Sequence, residues 1–165
     1  MDRIVNCGIL GAGWWATTAH LPALKAHPQA QVVAVQKRDR ASAQKVADDF
    51  GVEHAVTSVE EMLEIGGLDA VVVSTTPNMH YEQAKRCLEQ GLHVLVEKPM
   101  TMNVDEAREL VDLAREKGLQ ILISCPWHYT DHGEEARRLI REGAVGAQKM
   151  VSILYTNFSG GLYRA

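Results

Sequence analysis

Five short, almost unbroken apolar runs alternate along this chain with longer amphipathic stretches. The runs cover residues 4–10, 31–35, 70–74, 93–96 and 120–124. Continuous rather than alternating apolarity is the pattern of strands covered on both faces. Between them, residues 41–50, 79–90, 104–117 and 134–142 place apolar side chains at three- and four-residue intervals, as helices do. Gly51, Gly91, Gly118 and Gly143 follow these stretches where C-terminal caps are expected, and Asn103 with Glu106 forms a capping box. Strands alternating with helices require parallel pairing through right-handed crossovers, so the expected fold is α/β, a doubly wound parallel sheet of Rossmann type. Pro22 falls inside the first helical stretch and predicts a break or a kink near Leu21.

The chain has 165 residues, 46% of them hydrophobic and 23% charged, which suits one ordinary core. Residues 1–125 are expected to form the parallel-sheet domain. Residues 126–165 are expected to be a connecting helix and the first strand of a second α+β domain that is otherwise absent, because an extended segment at 150–157 starts too late to join the first sheet. A net charge of −4 gives no basic surplus for nucleic acid or an anionic membrane surface. No apolar run has the roughly 20 residues a bilayer span needs, and no leader pattern precedes the first strand. Cys7, Cys87 and Cys125 are widely spaced and read as reduced, mostly buried thiols of a cytoplasmic protein.

The first strand runs into Gly11-Ala12-Gly13-Trp14-Trp15-Ala16. Gly11, Gly13 and Ala16 satisfy the dinucleotide pattern G-x-G-x-x-G/A. Gly11 allows the tight turn, Gly13 a close backbone approach to a pyrophosphate, and Ala16 helix–strand packing. The diphosphate is expected at the helix N-terminus, where free N–H groups favour anions. For the adjacent indoles, Trp14 and Trp15, two readings stand: one packs on the sheet, or one covers the pyrophosphate or lines the cleft mouth.

About 20 residues beyond such a turn, an NAD-binding unit usually carries an acidic residue for the adenosine ribose. Here that position falls on Lys37, with Arg38 and Arg40 nearby. Basic side chains attract a 2′-phosphate, so NADP is expected over NAD. The competing reading has Asp39 reaching the ribose, with NAD as the cofactor.

Two further motifs follow strand ends: Ser74-Thr75-Thr76-Pro77-Asn78-Met79-His80 and Glu97-Lys98-Pro99. With the Gly11 turn and His20-Leu21-Pro22-Ala23-Leu24, they closely resemble the Gfo/Idh/MocA oxidoreductases, a family that includes glucose-fructose oxidoreductase and inositol dehydrogenases. The resemblance covers essentially the whole chain. It implies that Thr75, Thr76, Pro77, Asn78 and His80 line the cofactor cleft. It implies that Glu97 accepts hydrogen bonds from the nicotinamide ribose. It also implies that Lys98 sits beside the reacting carbon, where an ammonium can stabilise alkoxide charge or, if buried, carry a proton. Many members have one or two Arg after the sixth strand; here Trp127 and His128 stand there and are expected to face the nicotinamide side. His128, Asp131 and His132 match no zinc spacing, so no metal is expected.

The family resembled has a second domain that carries much of the substrate pocket and a general base, and it often pairs through that domain, which implies a homo-oligomer. The expected activity is NADP(H)-dependent hydride transfer to or from a sugar, inositol or related polyol. A non-catalytic NAD(P)-binding regulatory or interaction module is the alternative. A methyltransferase fits poorly, because it gives no reason for Glu97-Lys98-Pro99.

Overall fold

The computed structural model describes residues 3–152. Residues 3–125 lie in one compact unit, and the chain from Pro126 onward forms a second. In the first unit, β1 (Val5–Leu10) leads through a glycine turn and a π turn (Ala16–His20) into α1 (Leu21–Ala26). There follow β2 (Ala30–Gln36), α2 (Arg40–Phe50), β3 (His54–Val56), α3 (Val59–Leu63) and β4 (Ala70–Val73). The unit ends with α4 (Pro77–Glu89), β5 (His93–Val96), α5 (Val104–Glu116) and β6 (Ile121–Ile123).

The strands make one sheet in the order β3-β2-β1-β4-β5-β6, and every neighbouring pair is parallel. Strand alternation sends neighbouring residues to opposite faces. Thus Leu10, Ala34, Val71 and Val73 join a cluster with Leu88 and Leu110. Ile9, Val35 and Val72 join another with Ala16, Leu21 and Val46. The residues at the strand ends share one register row: Val56 pairs with Gln36, Gln36 with Leu10, Leu10 with Val73, Val73 with Val96, and Val96 with Ile123. Whatever follows those residues in the chain is therefore delivered to the same carboxyl edge, and the crossover order reverses between β1 and β4, where open α/β sheets bind ligands.

Three details depart from the sequence reading. The strand β3 and the helix α3 were not anticipated, because three and five residues are too few to show a period. β6 is an edge strand with Leu122 and Ile123 exposed, so its apolar run is not covered on both faces. The chain does not break before Pro22. Leu21 keeps helical dihedrals, and its N–H reaches back five residues to the Ala16 carbonyl. Proline has no N–H for a carbonyl one turn back, and the helix widens ahead of it. Thr17 and Thr18 hydroxyls donate to the Gly13, Trp14 and Trp15 carbonyls of this widened stretch.

Local signals elsewhere were followed closely. Gly51 caps α2 at φ +61°, and Gly91, Gly118 and Gly143 are also left-handed. The Asn103 side chain accepts the Glu106 N–H at 2.9 Å and caps α5. Asn103→Ala is expected to cost about 1 kcal/mol, read as a lower urea midpoint with an unchanged m-value.

In the second unit, Pro126–Tyr129 form a 3-10 turn and α6 (Asp131–Arg141) follows, capped by Thr130, whose hydroxyl accepts the Gly133 N–H. The extended segment expected at 150–157 lies, from residue 153 on, outside the described residues.

Candidate cofactor site

The glycine turn is built by close approach. Gly11 has φ +79°, and a Cβ there would lie 2.6 Å from both the Ser74 carbonyl oxygen and the Thr75 nitrogen. The turn at the end of β1 therefore sits directly on the turn at the end of β4. Gln36, the last residue of β2, locks it: Oε1 accepts the Gly11 N–H at 3.0 Å, while Nε2 donates to the Thr57 carbonyl at 2.8 Å. Gln36 was missed by sequence reasoning, although a buried polar residue ending an apolar run was a usable signal. Gly13 has open space around its Cα, and a Cβ on it would have its nearest neighbouring atom 3.9 Å away. Helical backbone begins at Trp14, and the first N–H groups of a helix have no partner within it. Ala16 is fully buried, as its place in the pattern requires.

A shallow groove of about 440 Å³ runs beside this turn, bordered by Gly13, Trp14, Thr17, Lys37, Ser42 and Lys45. Lys37 is half-buried and Arg38 is exposed. Asp39, the competing ribose candidate, has a local role. Its side chain accepts the Ser42 N–H at 2.7 Å as the cap of α2, and hydrogen bonding from Ser42 holds the carboxyl below the usual range. Arg40 is also committed elsewhere, to both oxygens of Glu61 and to the Ala55 carbonyl. Of the basic cluster, Lys37 lines the groove, and α2 adds Lys45, paired there with Asp49.

On the other side of the turn, Thr76, Pro77 and Asn78 are exposed at the start of α4, and the Thr76 side chain makes no cap bond. Thr75 is half-buried and its hydroxyl donates to Gln83 Oε1 at 2.6 Å. His80 was expected to line the cleft, but it is 1% exposed. Its Nδ1 lies 2.8 Å from the Pro99 carbonyl and its Nε2 3.1 Å from the Thr75 carbonyl. The ring braces the two loops from beneath, and its burial leaves no surface for a cofactor.

Glu97 and Lys98 do not form a surface charge pair. Lys98 is exposed, so a role in charge stabilisation stands on its position at the carboxyl edge rather than on burial. Glu97 is buried. Its Oε1 accepts the Trp15 indole N–H at 2.8 Å and lies 2.8 Å from His20 Nε2; its Oε2 accepts the Lys98 backbone N–H at 3.2 Å. Burial works against the charged carboxyl, but hydrogen bonds from Ser124, His20, Trp15 and the Lys98 backbone outweigh it and hold Glu97 below the usual carboxylate range. A carboxylate offers about four lone-pair sites, and Trp15, His20 and the Lys98 backbone already take three of them. The ribose role implied for Glu97 would share the carboxylate with these three bonds. Neither Trp14 nor Trp15 packs into the core: both are exposed, with ring centroids 5.8 Å apart.

Trp127 and His128 belong to the second unit, where the His128 carbonyl accepts from Arg137 at 3.1 Å. The thiols of Cys7 and Cys87 are buried, and Cys125 is only partly so. Burial raises the first two, Cys87 to about 12, which leaves them protonated and unreactive. No helix among the described residues is long and apolar enough to cross a membrane.

Residues 5–124 match a family model described as an oxidoreductase family with an NAD-binding Rossmann fold, GFO_IDH_MocA. A dTDP-3,4-didehydro-2,6-dideoxy-alpha-D-glucose 3-reductase from Streptomyces antibioticus is 37% identical over 150 residues, covering 90% of this chain and 45% of that protein. A D-xylose 1-dehydrogenase (NADP(+)) from Haloferax volcanii is 31% identical over 133 residues, covering 81% of this chain and 41% of the relative. Among solved structures, a 3-ketoreductase from Actinomadura kijaniata in complex with NADP superposes with a TM-score of 0.80 at 30% identity, covering 87% of this chain and 46% of that one. The chain thus spans less than half the length of these relatives.

Proposed function

The chain belongs to the Gfo/Idh/MocA oxidoreductase family, and from that premise we propose that it binds NADP(H) and serves hydride transfer between the nicotinamide and a carbon of a sugar, inositol or related polyol. The observation that carries this reading is the Gly11 turn pressed onto Thr75, with a groove bearing Lys37 on one side and Lys98 farther along the same edge. The residues fit a dinucleotide: a cradle that a Cβ would fill, free helix N–H groups, and a basic side chain where a 2′-phosphate would lie.

In this reading the helix start beyond Gly13 holds the pyrophosphate, and the bare backbone at Gly13 lets it approach. Lys37 and Arg38 take the 2′-phosphate, and Thr75, Thr76, Pro77 and Asn78 form the opposite wall. Trp14 and Trp15 cover the opening. Bound nicotinamide supplies or accepts the hydride. Lys98 places its ammonium against the substrate oxygen and stabilises the negative charge that develops there. Relatives that act on a dTDP-linked deoxysugar and on D-xylose support the sugar end of the substrate range.

Titrating the chain with NADPH and NADH, followed by energy transfer from tryptophan to the dihydronicotinamide, tests the cofactor assignment. NADPH is expected to bind at least about tenfold tighter. Lys37→Asp is expected to erase that preference, because a carboxylate repels the 2′-phosphate and accepts ribose hydroxyls. Tighter binding of NADH by the unchanged chain would refute the NADP assignment.

A further inference from the structure

His20 lies outside the glycine turn and outside both strand-end motifs, yet its side chain reaches the centre of the site. Trp15 and His20, five residues apart, both meet one carboxylate oxygen, Glu97 Oε1, each at 2.8 Å. On a regular α-helix of 3.6 residues per turn, residues five apart point about 140° away from one another. The π turn at Ala16–His20, closed by the Leu21 N–H on the Ala16 carbonyl, winds more slowly and turns both side chains the same way. The two rings meet edge to face, 6.5 Å between centroids. The His20 and Glu97 side chains retain only 12% and 10% of their exposure. The other oxygen of Glu97 holds the Lys98 backbone N–H.

From this convergence we infer that His20 is a positioning residue for the nicotinamide end of the site. It acts through Glu97, and Glu97 in turn fixes the Trp15 indole on one side and the Lys98 backbone on the other. The inference rests on the cofactor reading above and goes beyond it, because it gives Glu97 an internal anchoring role. The arrangement has a physical logic. An imidazole N–H aimed at a carboxylate is a charge-assisted bond, stronger than a neutral one. Held out of water, it keeps the carboxylate in one orientation. Trp15, 41% exposed, keeps a free aromatic face while its N–H is pinned, so its ring can stand as a fixed wall. Pro22 belongs to the same device, since its missing N–H favours the widened turn over a regular one.

The test uses the whole chain, NADPH as the probe, and two readouts. The first is the Trp15 indole N–H signal in a ¹H–¹⁵N spectrum, which reports the bond to Glu97 directly. The second is NADPH affinity by tryptophan energy transfer. His20→Leu keeps bulk but removes the donor; it is expected to move the Trp15 signal and weaken NADPH about tenfold. His20→Gln places an amide N–H at about the reach of Nε2 and is expected to restore both readouts to within about threefold. Trp15→Phe, which keeps an aromatic ring without the N–H, is expected to weaken NADPH in the same direction and provides the measurement if His20→Leu does not fold. Unchanged NADPH affinity in the folded His20→Leu or Trp15→Phe protein would overturn the inference, as would a Gln variant no better than Leu. Failure of the unmodified chain to bind NADPH would instead overturn the cofactor reading, and the inference with it.

Discussion

In enzyme that turns over a sugar substrate, Lys98→Ala lowers kcat by about 10²–10⁴-fold, the range expected when a group that handles charge at the reacting atom is removed. NADPH affinity is expected to stay within about threefold, because the proposed site gives the pyrophosphate and 2′-phosphate to other residues. The reason is placement. Lys98 follows β5 at the same carboxyl edge as Gly11 and Thr75, and its exposed side chain is free to reach a substrate oxygen. Its backbone is tied by Glu97, so truncating the side chain leaves the turn intact. Steady-state rates beside a binding titration separate the two effects. An unchanged kcat would remove Lys98 from the chemistry.

Gly11→Ala should have the largest effect on stability. The left-handed φ of +79° costs a non-glycine residue about 1–2 kcal/mol. The larger part comes from contact. The new Cβ would meet Ser74 and Thr75 backbone atoms at 2.6 Å, and neither can move without displacing the end of β4. Together these set an expected loss of about 3–5 kcal/mol, read from urea unfolding, with NADPH binding lost as well. Gly13→Ala makes the contrast. Its surroundings are open, so stability changes by less than about 1 kcal/mol, while a methyl group intrudes where the backbone must approach the pyrophosphate and affinity falls about tenfold or more. Equal stability losses in the two variants would contradict this division of labour.

The parts of this fold that were legible in the sequence are those governed by local or periodic signals. Apolar runs marked β1, β2, β4, β5 and β6. Asn103 marked the start of α5, and Gly51 the end of α2. The Gly11 turn, Lys37 and Lys98 stood out as candidates because their motifs lie at strand ends, and a parallel sheet collects strand ends along one edge. What escaped depends on contacts distant in sequence. Gln36 closes the glycine turn from 25 residues away, and Trp15 meets Glu97 across 82. His80 carries a motif position, yet its two ring nitrogens are taken by the Thr75 and Pro99 carbonyls. Asp39 offered itself in the sequence as a competing ribose ligand, and its capping of α2 is visible only in the bond from the Ser42 N–H. The π turn was hidden for another reason: Pro22 signals an irregularity but not its form, and the bonds that accompany the widened turn reach as far as Glu97.

The strand order also bears on how this sheet assembles. Neighbouring strands pair across modest stretches of chain: Ala34 with His54, Ala70 with His93, Val5 with Ala30 and Val94 with Ile121. The exception is the middle pair, where Cys7 meets Ala70 across 63 residues. Loop closure over that distance costs about 0.8 kcal/mol more than over 25 residues, and long-range parallel pairing is intrinsically slow. The β1–β4 seam therefore joins two three-stranded halves, each built from shorter-range pairings. That seam is where Gly11 rests on Ser74 and Thr75. The cradle that receives a dinucleotide thus lies on the longest-range joint of the sheet, and a molecule held there touches both halves at once, as a clasp across the joint.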